Sequence, residues 1–240
     1  MFAIQAGIGA TNDLLDVAAD RRTKPWKPLP IGSVTPATAR MIALAAFPTG
    51  ILLAASVSLG AAFVGAVGAA IGLAYDLRLR GTVASWLPFA LGIPLVPVFA
   101  WLGAIGSLPA AVVVAAVIAV PSGAAISIAN ALPDVERDLL AETRSVATEL
   151  GLASAARLDA VLQAIVGGSA LLAMVAMGGA RVPPPAWAGI LLAASALAVG
   201  VVLSHGGRVE SRQRGWEMQA LATGLLAASW FGGIVGAGRL

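Results

Sequence analysis

Long apolar runs separated by short charged clusters set the pattern of this chain. A helix rises 1.5 Å per residue, so about 20 apolar residues cross a hydrocarbon core of roughly 30 Å. The run over 41–75 is too long for one crossing and folds back near 56–60, which gives two short spans, the first carrying Pro48. Further spans are predicted over 85–103, 108–131, 161–178, 186–204 and 220–236. The pattern predicts an all-α polytopic transmembrane helical bundle of about seven complete spans. Residues 1–10 are apolar but too short to cross; they lack the basic start of a signal peptide and run straight into an acidic segment. They read as an N-terminal helix stub.

Composition agrees: 59% of the 240 residues are hydrophobic and 11% charged, against roughly 25% charged in a soluble domain. The absence of cysteine excludes disulfides and thiolate metal ligands, and a lone histidine, His205, excludes a multi-histidine metal site. The formal charge of +3 comes from short clusters rather than a basic tail, so no nucleic-acid partner is expected. All twelve acidic and thirteen of the fifteen basic residues fall before Met41, at 76–80, at 134–159 or at 208–217. Of the other basic residues, Arg181 lies between spans and Arg239 at the chain end. With seven spans the rich loops all fall on one side, and the positive-inside rule makes that side cytoplasmic. An integral protein of the cell (plasma) membrane is expected, its Asp-rich loops at 12–32 and 130–149 facing the cytoplasm.

Those loops carry the chemistry. Asn12, Asp16 and Asp20 sit four apart, so on a helix they line one face. Carboxylates at that spacing repel unless a cation lies between them. Asn130, Asp134 and Asp138 repeat the pattern at another membrane exit on the same side. Carboxylate and amide oxygens suit Mg2+, which keeps waters and bridges to substrate phosphates. Arg21, Arg22, Lys24 and Lys27 follow the first cluster, Arg137 and Arg144 accompany the second, and Tyr75, Asp76, Arg78 and Arg80 occupy the loop between. Lysine and arginine bind phosphate oxygens, and equally anchor a helix at the membrane surface. Trp26, Trp86 and His205 read as interfacial residues. A transporter using the paired Asp clusters would place ionisable groups near span centres, and the predicted spans hold none.

The motifs resemble those of the UbiA superfamily of intramembrane prenyltransferases. The family pattern N-D-x-x-D-x-x-x-D is matched by Asn12, Asp13, Asp16 and Asp20, and its following R-P-L/I-P-x-G by Lys27, Pro28, Leu29, Pro30 and Gly32, with lysine for arginine. Tyr75, Leu79 and Arg80 are similar to its middle loop, and Asn130, Asp134 and Asp138 to its second aspartate motif. Glu142 stands where the family has glycine, and Ser145 where it has threonine.

The resemblance covers the whole chain, read as one prenyltransferase-like domain over 1–240. It implies that the seven spans are helices three to nine of nine, so that the domain is N-terminally incomplete. It also implies Mg2+-dependent transfer of a polyprenyl group from an allylic diphosphate to an aromatic or alcohol acceptor within the lipid bilayer. Asp16, Asp20, Asp134 and Asp138 would be catalytic and, with Asn12 and Asn130, would hold the metal. Lys27, Arg80 and Arg144 would bind diphosphate, supported by Tyr75. The stretch Lys24-Pro25-Trp26 leans toward the homogentisate and chlorophyll-type subgroups. The alternatives are a catalytically inactive truncated homologue or a transporter. No pattern specifies an oligomeric state.

Overall fold

The computed structural model describes residues 1–239. It is all-helical among those residues, and seven of its helices are long and apolar enough to cross a membrane. Leucines and valines such as Leu44, Leu52, Leu172, Leu191 and Val202 lie exposed on these helices. Exposed apolar area on that scale is stable against lipid rather than water. The protein is an integral membrane protein.

Helix α1 (Phe2–Thr23) is the expected N-terminal helix, and it runs on past its apolar residues 1–10. It continues through the whole first aspartate motif, so the loop begins only at Lys24, whose N–H caps the Asp20 carbonyl. Arg21 and Arg22 in the last turn complement the helix dipole. The connection then uses three prolines and Gly32, whose φ of 78° suits a residue without Cβ. Helix α2 (Pro36–Ala55) starts where the Thr35 side chain accepts from the Thr38 N–H. Ser58 caps α3 (Leu59–Ala74) in the same way, so the break expected near 56–60 is a pair of helix termini.

Two compact units emerge. The first comprises Met1–Arg80 and Val98–Ser107, the second Gly81–Pro97 and Leu108–Leu240. In the first unit α1 packs on α2 and α3 at glycines. A Cβ on Gly50 would lie 2.7 Å from Ile4 Cγ1, and one on Gly72 2.5 Å from Ile8 Cδ1. Ile4 is buried there, and Ala54, Ala61 and Ala62 close a small core with Phe99 and Leu102. Helix α4 (Leu87–Ile105) gives its residues up to Pro97 to the second unit and the rest to the first.

The second unit is built on α5 (Ala110–Ala131), the short α6 (Val135–Leu140) and α7 (Val146–Leu150), α8 (Leu152–Gly178), α9 (Pro184–Ser204) and α10 (Val209–Gly236). Val166, Ala170, Met174, Ile190, Leu226 and Trp230 belong to its main core. A smaller cluster of Ile128, Leu132, Val135, Ala147 and Ala155 lies around the second aspartate motif. Two helices start earlier than their apolar runs. Helix α8 begins at Leu152 rather than 161, and α10 at Val209 rather than 220. Charge ended the predicted spans, but Asp159 and Arg212 are buried and hydrogen-bonded inside the unit, where a polar group is tolerated.

Candidate functional site

In the first unit the helical spacing of α1 sets Asn12, Asp16 and Asp20 along one face. Lys27, returning from the proline-rich connection, donates to Asp13 Oδ1 at 2.8 Å and to Asp20 Oδ2 at 2.7 Å. Asp20 is almost fully buried, so this lysine supplies the charge that its carboxylate would otherwise lack. Partial burial works to lower the Lys27 pKa, but the hydrogen bonds and charges of Asp13 and Asp20 outweigh it and hold the pKa above the ordinary lysine value.

Beyond α3 the chain makes a π-helical turn over Tyr75–Leu79, closed by the Arg80 N–H on the Tyr75 carbonyl at 2.9 Å. Such widened turns recur at functional sites. Here it is followed at once by Arg80, whose Nη1 donates to Asp16 Oδ2. Desolvation acts against the charged guanidinium of Arg80, and the Asp16 bond and charge overcome it, so its pKa is raised. Asp76 joins the same group: its Oδ1 accepts from Asn12 Nδ2 at 3.1 Å, and its Oδ2 is buried without a hydrogen-bond partner. Thus Asn12, Asp13, Asp16, Asp20, Lys27 and Arg80 come together in the first unit, with Asp76 added; Asp13, on spacing alone, would have faced elsewhere. The signal for Asp76 was its place beside Tyr75 in an otherwise basic loop.

The second motif is not a copy of the first. Helix α5 ends at Ala131, and Leu132–Asp134 form a 3-10 turn containing Pro133 before α6 resumes. Proline has no N–H for the helical ladder, so the continuous register expected for Asn130, Asp134 and Asp138 is interrupted. Arg137 Nη2 spans the two aspartates, 2.9 Å from Asp134 Oδ2 and 3.5 Å from Asp138 Oδ1. Asn130 is exposed at the helix end. Arg144, expected to contact diphosphate, is mostly exposed and bonded to Glu149 at 2.7 Å. Ser145 acts as the cap of α7 in a reciprocal pair with Thr148. Glu142 lies on the exposed turn before it at φ 53°, a left-handed conformation that explains why a glycine suits this position.

Two further buried features escaped the sequence pattern. Gln219 Nε2 donates to Asp159 Oδ2 at 2.9 Å and to Ser204 Oγ at 3.0 Å, while its Oε1 accepts from Gln163. Between α4, α5, α8 and α10 lies a cavity of about 340 Å³, lined by residues including Ile118, Val166, Trp230 and Phe231. Ser122 and Thr223 are its hydroxyl-bearing wall residues, and neither oxygen has a partner.

Among the described residues no three carboxylate or imidazole side chains close on a common point. A magnesium ion does not require that, since one or two carboxylates plus substrate phosphates commonly complete its shell. The all-oxygen donor set and the orphaned Asp76 Oδ2 fit such a hard cation.

Comparison with known proteins identifies the family. Over 77 residues, 32% of this chain, the sequence is 35% identical to a digeranylgeranylglyceryl phosphate synthase of Methanopyrus kandleri, and the match spans only 28% of that protein. A solved structure concerning a digeranylgeranylglyceryl phosphate synthase in membranes superposes with a TM-score of 0.76 at 17% identity, covering 100% of this chain and 83% of that one. The apo structure of a UbiA homologue from Aeropyrum pernix K1 gives 0.75 at 18% identity over 95% and 84% of the two chains. At such identities these two structures establish the fold. The profile of the UbiA prenyltransferase family matches residues 1–235, and the chain belongs to that family, within the superfamily of intramembrane prenyltransferases.

Proposed function

We propose that the protein transfers a polyprenyl group from an allylic diphosphate to an aromatic or alcohol acceptor in a magnesium-dependent reaction. The observation that carries this reading is the pairing of every carboxylate of the first motif with a phosphate-binding cation, Lys27 on Asp13 and Asp20 and Arg80 on Asp16. Such pairs hold both halves of a diphosphate site in place before substrate arrives. When the substrate enters, Lys27 and Arg80 exchange carboxylate for phosphate oxygens, which frees Asp16 and Asp20 for metal.

Asp134 and Asp138, released from Arg137, serve the same reaction, and Arg144 joins by leaving Glu149. Asn12, Asn130 and Asp76 would add oxygen ligands or orient waters, and Tyr75 supports the turn that carries Arg80. Magnesium, when bound, supplies positive charge to the diphosphate oxygens as the bond to the prenyl carbon breaks. The electron pair leaves with diphosphate, and the prenyl carbon bonds to the acceptor, which loses a proton. Apolar helices keep water from intercepting the allylic cation. The 340 Å³ cavity suits part of the isoprenoid tail. Its wall residue Ser122 lies on α5 nine residues before that helix ends at Ala131, roughly 13 Å along the axis, and the aspartate turn follows.

The charged loops face the cytoplasm of the cell membrane in this reading. The alcohol class is supported by the name of the Methanopyrus kandleri relative, and the aromatic class by the Lys24-Pro25-Trp26 stretch. The test is diphosphate release from geranylgeranyl diphosphate by the protein in lipid nanodiscs, with magnesium or chelator and with aromatic and alcohol acceptors in turn. Release that needs both magnesium and one acceptor class is expected. Absence of release with every acceptor from folded protein overturns the proposal.

A further inference from the structure

Arg212 lies in the first turn of α10, fully buried, and each of its three guanidinium nitrogens has an acceptor. Nη2 contacts both carboxylate oxygens of Glu136, at 2.7 and 2.6 Å. Nε donates to the Leu132 carbonyl at 3.0 Å, and Nη1 reaches the carbonyls of Gly206 and Gly207 at 3.4 Å each. The first two contacts bracket Asp134. Leu132 opens the 3-10 turn that interrupts the helix, and Glu136 lies between Asp134 and Asp138. At such a junction the intrahelical bonds that would fix side-chain direction are incomplete. A planar five-donor fork from another helix replaces them, and a lysine ammonium has neither the reach nor the geometry to do so.

We infer that Arg212 is a positioning residue, acting through Glu136 and the Leu132 carbonyl to set the direction in which Asp134 and Asp138 present their carboxylates. The inference rests on the reading that these aspartates hold magnesium. It places the determinant of the second motif in α10, 74 residues beyond Asp138 in sequence. The other two carbonyls tie the connection between α9 and α10 to the same guanidinium, so that connection and the aspartate turn are held as one piece.

The test uses the protein in nanodiscs with Arg212→Lys, Glu136→Gln and the double variant. Glu136 has a side chain more than half exposed and glutamine still offers Arg212 an oxygen acceptor, so Glu136→Gln is the milder change, and helix content is checked for each variant. Manganese titration followed by electron paramagnetic resonance reads metal affinity directly, and amide hydrogen exchange reads the order of residues 132–138. The expected result is faster exchange confined to that segment, with manganese affinity and the magnesium dependence of diphosphate release weakened by about tenfold or more. The double variant should be no worse than the more severe single one. Unchanged exchange, or faster exchange with wild-type manganese affinity, overturns the inference. A wild-type protein that neither binds manganese nor releases diphosphate fails the magnesium reading and the inference with it. An active wild type indistinguishable from Glu136→Gln fails the inference alone.

Discussion

Arg80 and Asp16 form an ion pair across 64 residues of sequence, joining the end of a π-helical turn to the middle of α1. In the proposed reaction the pair gives Arg80 both a structural and a substrate-binding part. Replacing Arg80 with alanine removes a charge-assisted bond worth about 1.5–3 kcal/mol, so kcat/KM for the prenyl diphosphate should fall roughly 10- to 100-fold. Steady-state kinetics in nanodiscs check this, and an unchanged value would assign Arg80 to membrane anchoring.

Lys27 gives a pH dependence with a definite sign. Its pKa in the folded protein lies above the ordinary 10.5 because the bonds and charges of Asp13 and Asp20 outweigh desolvation. A raised value means that the stabilisation is complete below the unfolded pKa and is lost as pH rises through the folded one. Thermal unfolding should therefore show no loss from this pair between about pH 7 and 9, and a loss above 10.5 that is absent in Lys27→Met.

Gly123 on α5 meets the backbone of α4 within the second unit. A Cβ there would overlap the Phe89 carbonyl and lie 2.8 Å from Ala90 Cα, and backbone cannot move aside as a side chain does. Gly123→Ala should cost about 1–3 kcal/mol, visible as a lower unfolding temperature in detergent. Gly103→Ala is the control: a Cβ there meets nothing within 4 Å. Its unfolding temperature should hold or rise.

Glu142 adopts φ 53° on the turn between α6 and α7. A non-glycine residue there carries about 1–2 kcal/mol of strain, which Glu142→Gly should relieve in part, because glycine is also more flexible when unfolded. A rise in unfolding temperature confirms the strain. A fall would show that the glutamate side chain contributes more than its backbone costs.

The hydrophobic pattern located the membrane helices well because lipid-facing residues announce themselves. It failed where polar residues are satisfied by the protein itself. Asp159 and Arg212 looked like loop residues, and nothing local indicated that Gln219, Glu136 and the Leu132 carbonyl would receive their bonds. The first aspartate motif was legible as a helical face, since four-residue spacing survives on α1. The second carried a visible warning in Pro133, and the 3-10 turn there is the consequence. The basic partners of the carboxylates were legible by charge type. Their pairing was not, because Lys27 and Arg80 reach the motif through a proline-rich connection and a π-helical turn whose geometry depends on packing. Asp76 was visible as a residue, yet its buried, unpartnered oxygen belongs to the folded state alone.

The central claim is that both aspartate motifs serve one prenyl-transfer reaction. The most direct measurement is diphosphate release from geranylgeranyl diphosphate by Asp16→Asn and Asp134→Asn, each checked for wild-type helix content. Both should lose activity by at least about a hundredfold, as expected when charge stabilisation of a leaving group is removed. Wild-type turnover in either folded variant would contradict the claim.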